Sequence, residues 1–91
     1  MSVESYLKDP DAVLDFGFDW TNWLVTAETI VTSTWTVDTG ITEDSNAKTT
    51  VKTSIWLSGG TVGTTYHATN KIVTNKGRTD ERTLSIRVRN R

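Results

Sequence analysis

Chemistry in this 91-residue chain would have to come from one histidine, eleven carboxylates and four tryptophans, because cysteine is absent. Nucleophilic catalysis needs a nucleophile, a base beside it and a group that orients the base. His67 is the only imidazole, and strand alternation puts it opposite Tyr66 on an outer face. The acid pairs are Asp9/Asp11, Asp15/Asp19 and Glu43/Asp44. Sugar hydrolysis needs two carboxyls flanking a cleft. Asp15 and Asp19 share a strand face, but four residues of strand hold them about 13 Å apart at ~3.3 Å per residue. No catalytic residue is expected, and the chain reads as a non-enzyme.

Binding chemistry is equally sparse. Glu43-Asp44-Ser45-Asn46 offers two carboxylates without the spaced pattern of a calcium loop. No metal ligand and no cofactor-binding residue is predicted. Gly59-Gly60-Thr61-Val62-Gly63-Thr64 lacks the Lys-Ser/Thr ending and the following helix of a phosphate loop. The basic run Arg78, Arg82, Arg87, Arg89 and Arg91 has no aromatic interleaving of the kind that stacks single strands. With a net charge of -1, the composition predicts no nucleic-acid partner. Trp23 and Trp56 are the candidate surface aromatics for stacking on a sugar ring, with partial burial in the core as the competing reading. Met1-Ser2-Val3-Glu4 has neither a basic start nor an apolar run, so no signal peptide and no membrane partner is expected.

Charge is divided along the chain. Residues 1–46 hold nine acids against Lys8, and residues 47–91 hold nine bases against Asp80 and Glu81. Two readings follow: acidic first strands neutralise basic last strands within one sandwich, or polar surfaces stack head to tail between copies.

The elements that must position these groups read as strands. Threonine fills roughly a fifth of the positions, and its β-branched side chain suits a pleated, half-exposed surface. Residues 1–11 read as an exposed N-terminal arm, with a turn at Lys8-Asp9-Pro10-Asp11, and residues 12–91 as one domain. Leu14, Phe16, Phe18 and Trp20 alternate on one face, with Gly17 marking a bulge or a close backbone approach. Trp20–Leu24 reads as a tight turn. Val31, Ser33, Trp35 and Val37 form one face of the next strand, with Trp35 as the expected centre of the core. Thr42–Asn46 reads as a polar loop. Ala47–Leu57 is a strand region whose Val51, Thr53, Ile55 and Leu57 share a side, leaving Trp56 on the other. Tyr66, Ala68, Asn70 and Ile72 alternate, Asn75-Lys76-Gly77 closes a hairpin, and Leu84, Ile86 and Val88 point inward while Arg87 and Arg89 point out. Turn signals about every ten residues predict a β-sandwich or small barrel.

Three segments resemble a known family. Lys8-Asp9-Pro10-Asp11-Ala12-Val13-Leu14-Asp15-Phe16 with Asp19-Trp20 and Trp23-Leu24, Ser58 to Tyr66, and Gly77-Arg78-Thr79-Asp80-Glu81-Arg82 are similar to tailed-bacteriophage fibre–tail adaptor proteins. The likeness spans roughly residues 8–89. It implies an all-β, immunoglobulin-like antiparallel β-sandwich of about seven short strands. It also implies a virion structural protein, made in the host cytoplasm, that joins a tail or baseplate component to a fibre in several copies or as a homo-oligomer. The contact residues it points to are Asp9, Pro10, Asp11, Arg78, Asp80, Glu81 and Arg82; Arg78 and Arg82 equally suit pairing with Asp80, Glu81 or the acidic first strand. A carbohydrate- or surface-binding module built on Trp23 or Trp56 is the alternative from another class. A capsid decoration or head fibre protein would share the fold and differ in its partner.

Overall fold

A computed structural model describes residues 3–90, with side chains from Ser5 onward. Those residues form seven strands and no helix: β1 Val3–Lys8, β2 Leu14–Asp19, β3 Ile30–Val37, β4 Ile41–Lys48, β5 Lys52–Gly59, β6 Thr65–Thr74 and β7 Thr79–Val88. They build two sheets, one ordered β1-β7-β6-β3 and the other β2-β5-β4. All pairs are antiparallel except β1 and β7, which run parallel from Val3↔Thr83 to Lys8↔Val88. Seven strands divided four and three in this order make an immunoglobulin-like sandwich, with β3, β6 and β7 forming the C-F-G side and β2, β5 and β4 the B-E-D side.

Two further features belong to the same architecture. Tyr66 lies at the start of β6, and its hydroxyl accepts the Thr61 amide at 2.9 Å, tying the strand back to the preceding corner. Trp35 on β3 stacks on Phe18 of β2 across the two sheets, 6.0 Å between ring centres. No disulfide joins the sheets, so aromatic packing and a small polar network hold them. Phe16, Phe18, Ile55, Leu57, Ala68, Ile72, Leu84, Ile86 and Val88 are all buried, on the period-2 faces of β2, β5, β6 and β7.

Several sequence expectations change. Most of the predicted arm is strand: Val3–Lys8 pairs with β7, while Met1 and Ser2 lie outside the described residues. The predicted polar loop Thr42–Asn46 falls within β4, which pairs with β5 and shifts register between Glu43 and Ser45. As a sheet edge facing solvent on one side, β4 tolerates polar residues at nearly every position, and this hides its period. Ala47–Leu57 is therefore the end of β4, a turn and the start of β5. Val31 is 55% exposed, because the register shift between Ile30 and Thr32 turns Ile30 inward in its place. Trp35 is buried, but the indole at the centre of the polar network is that of Trp20.

Gly17 needs its missing side chain. A Cβ there would overlap the Thr53 carbonyl oxygen, so β2 presses on β5 through the glycine, with no bulge in their register. Gly60 has φ +97 and lies under Val88 and Tyr66 at the corner after β5.

Candidate functional site

The side chains with binding capacity gather at the two ends of a body 43 Å long and on the outer face of the smaller sheet. At one end β1 finishes in Lys8, a fully buried lysine. Its Nζ donates to the carbonyls of Asp9 at 2.9 Å and Gly59 at 2.8 Å, bridging the ends of β1 and β5. Burial pulls the Lys8 ammonium below its ordinary pKa, opposed by the carboxylates of Asp9, Asp11 and Asp44. The Asp11 amide donates to Asp9 Oδ1 at 2.8 Å, fixing the Asp9-Pro10-Asp11 turn predicted from the proline. Asp11 is exposed, whereas Asp9 and Pro10 are half-buried.

At the opposite end the Trp20–Leu24 turn, the β6–β7 hairpin and the loop before β3 converge. The turn forms as predicted, with the amides of Trp23 and Leu24 donating to the Trp20 carbonyl. Trp20 Nε1 reaches Thr53 Oγ1 and Asn70 Oδ1, both at 3.3 Å, and Asn70 in turn donates to Ser33 Oγ at 2.9 Å. The Arg82 guanidinium lies 4.0 Å over the Trp20 ring, and that of Arg78 lies 4.0 Å over Trp23. Arg78 also meets the buried Glu28 at 2.8 Å. Burial pushes the Glu28 carboxyl up, yet the Thr74 hydroxyl, the Val25 amide and Arg78 outweigh it and hold the group below its ordinary pKa.

Arg78 and Arg82 thus have structural partners, though not Asp80 or Glu81. One pairs with Glu28, fifty residues away, and the other donates to the Asp19 carbonyl at 3.3 Å. The two tryptophans beneath the arginines were not legible as their partners, since nothing local in the sequence brings Trp20 to Arg82. Asp80 and Glu81 are half-buried on β7, and the Glu81 amide donates to Asp80 Oδ1. Arg91, the last residue of the basic run, lies outside the described residues. The predicted contact segments 9–11 and 78–82 fall at opposite ends of the sandwich, because β1 ends beside Val88 while Arg78 immediately precedes β7 and Thr79–Arg82 opens it.

The outer face of the three-stranded sheet carries the remaining features. Gly17, Ser54 and Ala47 align across the strands as a row of small residues, floored into an open groove of about 430 Å³. Asp19 and Lys52 stand at one side of that row, and Asp15 and Trp56 at the other. Trp56 is 42% exposed, as its outward position in β5 predicts. Trp23 is half-buried, with one face covered by Arg78.

The Thr21 hydroxyl and amide hold the Asp19 carboxyl below its ordinary pKa, the wrong direction for a proton donor at neutral pH. His67 spends its ring and its amide on the carboxylate of Asp38, at 3.1 and 2.8 Å. Among the described residues no group of three or more metal-ligating side chains comes together. Residues 8–87 match the family described as podophage GP4 fiber-tail adaptor protein gp77. No curated protein matches the chain.

Proposed function

Since the chain belongs to the podophage GP4 fiber-tail adaptor family, we propose that it is a non-enzymatic virion protein that links the tail to a fibre by geometry alone. The family match over residues 8–87 carries this reading. Support comes from the placement of the two candidate contact segments. Asp9, Pro10 and Asp11 lie at one end of the sandwich, and Arg78, Asp80, Glu81 and Arg82 lie at the other, six to ten residues of strand away along β7. That separation is about 20–33 Å at ~3.3 Å per residue, enough for two different proteins to bind without meeting. Both segments are pinned, one by the buried Lys8 and the other by the tryptophan–arginine contacts, so a partner would dock on a preorganised surface.

The test is reconstitution of fibre attachment on purified tails. Fibres are expected to attach only when the chain is added, and the chain should then be found in the particle by mass spectrometry. Attachment without it would sink the adaptor reading. A double substitution, Asp9→Ala with Asp11→Ala, should weaken binding to one partner only, and Asp80→Ala with Glu81→Ala binding to the other.

Trp56 favours a second reading. An indole 42% exposed beside a groove of small residues suits stacking on a sugar ring. Tryptophan fluorescence that responds to a glycan in the native protein but not in Trp56→Ala would carry that reading, and a flat response across glycans would end it.

A further inference from the structure

An immunoglobulin-like sheet of the larger, variable type adds strands beside the one that β3 represents here. In this chain Asp38-Thr39-Gly40 leads directly from β3 into β4 of the other sheet, and β3 remains the last strand of its own sheet. The direction of its backbone groups follows from the register. The Asp38 amide donates to the His67 carbonyl, and hydrogen-bonded pairs recur every second residue in an antiparallel ladder. Thr32, Thr34 and Thr36 therefore direct their amides and carbonyls at β6, opposite Val73, Lys71 and Thr69. Ser33, Trp35 and Val37 direct theirs at the open edge.

Natural sheets protect such edges with charges, prolines and bulges. The other three edges here have protection. β2 carries Asp15 and Asp19, β4 carries Glu43, Asp44 and Lys48 and a register shift, and β1 ends in the buried Lys8. β3 reads Ile-Val-Thr-Ser-Thr-Trp-Thr-Val, with no charge and no proline in eight residues. Its only irregularity is at Val31, near one end. The same strand holds Trp35, whose buried Nε1 has no hydrogen-bond partner.

We propose that the open edge of β3 is a strand-acceptor site and that a second copy of this chain fills it, β3 against β3 and antiparallel. The sequence is self-complementary in that arrangement. With a two-fold axis at Thr34, Ser33 of one copy stands opposite Trp35 of the other, and these pairs exchange the outward backbone bonds. Thr34 meets Thr34 and Thr32 meets Thr36 on the outer face, cross-strand pairs that favour a sheet. Val31, 55% exposed, meets the half-buried Val37. No like charges oppose each other, which would not hold for β2 against β2 or β4 against β4. Two four-stranded sheets then become one continuous sheet. This interface uses neither of the end segments and stands apart from the adaptor reading.

Sedimentation or light scattering of the native protein, followed up to about 200 µM because a short edge pairing lies at the weak end of interface affinities, is expected to show a dimer. The association should be nearly insensitive to salt. Thr34 is exposed, so Thr34→Lys should keep the fold while placing like charges face to face, weakening the dimer by about tenfold or more. Mixing Thr34→Lys with Thr34→Glu should restore association as a heterodimer. In the native protein, amide exchange at Ser33 and Trp35 should slow as concentration rises, while Thr34 is already protected by Lys71. A monomer across the whole range would overturn the proposal. So would a dimer that dissolves in salt and ignores Thr34→Lys, since its interface would lie at the charged ends.

Discussion

At one end of the sandwich a lysine is buried against backbone carbonyls, and at the other a glutamate is buried against three donors, one from its own loop and two from the β6–β7 hairpin. Lys8 has two neutral acceptors, and its carboxylate neighbours only partly offset the burial of its charge. Glu28 receives an amide, a hydroxyl and a guanidinium, and these more than offset its burial. The pKa falls in both cases, but the meaning is opposite. For the lysine a lowered value means that the folded state disfavours the charge. For the glutamate it means that the folded state welcomes it. The glutamate end should therefore be the firmer of the two, and it also contains the fully buried Trp20 and its bonds to Thr53 and Asn70.

The comparison can be broken most forcefully at Trp20. Trp20→Ala removes a large buried ring and strands the Asn70 network, and should cost about 3–5 kcal/mol, read as a lower denaturant midpoint with an unchanged slope. A cost below about 1 kcal/mol would show that this end is not the anchor. Next in size is the acid response of Glu28. Because its folded pKa is depressed, its contribution is present above the ordinary glutamate range and lost as pH falls through the folded value. Glu28→Gln should flatten that acid limb of stability, and an unchanged acid limb would remove Glu28 as its source. The smallest effect is expected at Lys8. Lys8→Met loses two hydrogen bonds and also a buried charge, so at neutral pH stability should move by no more than about 1 kcal/mol. In the native protein, stability should rise as pH climbs through the lowered lysine value toward the ordinary one, because the unfolded chain then holds the extra proton. Lys8→Met should abolish that rise.

The lysine end was the harder to read from sequence. Lys8 looks like a solvated turn residue, because no local pattern shows that Gly59, fifty-one residues on, will bring its carbonyl to the ammonium. Strands β2, β6 and β7 were legible, since one side of each faces the core and the period of two is written in Phe16/Phe18, Tyr66–Ile72 and Leu84–Val88. β4 was not legible, because Ile41 is its single buried side chain. β1 depends on a partner some eighty residues away, and the register shift that exposes Val31 has no signature apart from its pairing. Of the candidate surface residues, Trp56 and Asp11 stand in solvent, and for Trp56 the sequence left exposure and partial burial both open. It did not foresee that Arg78 and Arg82 lie over Trp23 and Trp20, because that contact is made by the fold and not by spacing.

The parallel pairing of β1 with β7 also decides how the molecule would carry a mechanical load. β1 starts beside Thr83, partway along β7, and the two strands run side by side in the same direction to Lys8↔Val88. Tension drawn between Val3 and Val88 pulls the two strands along each other. The bonds between them are then strained together in shear, and cannot open one at a time like a zip. Rupture in that direction is governed by the barrier to unfolding, and not by the equilibrium stability.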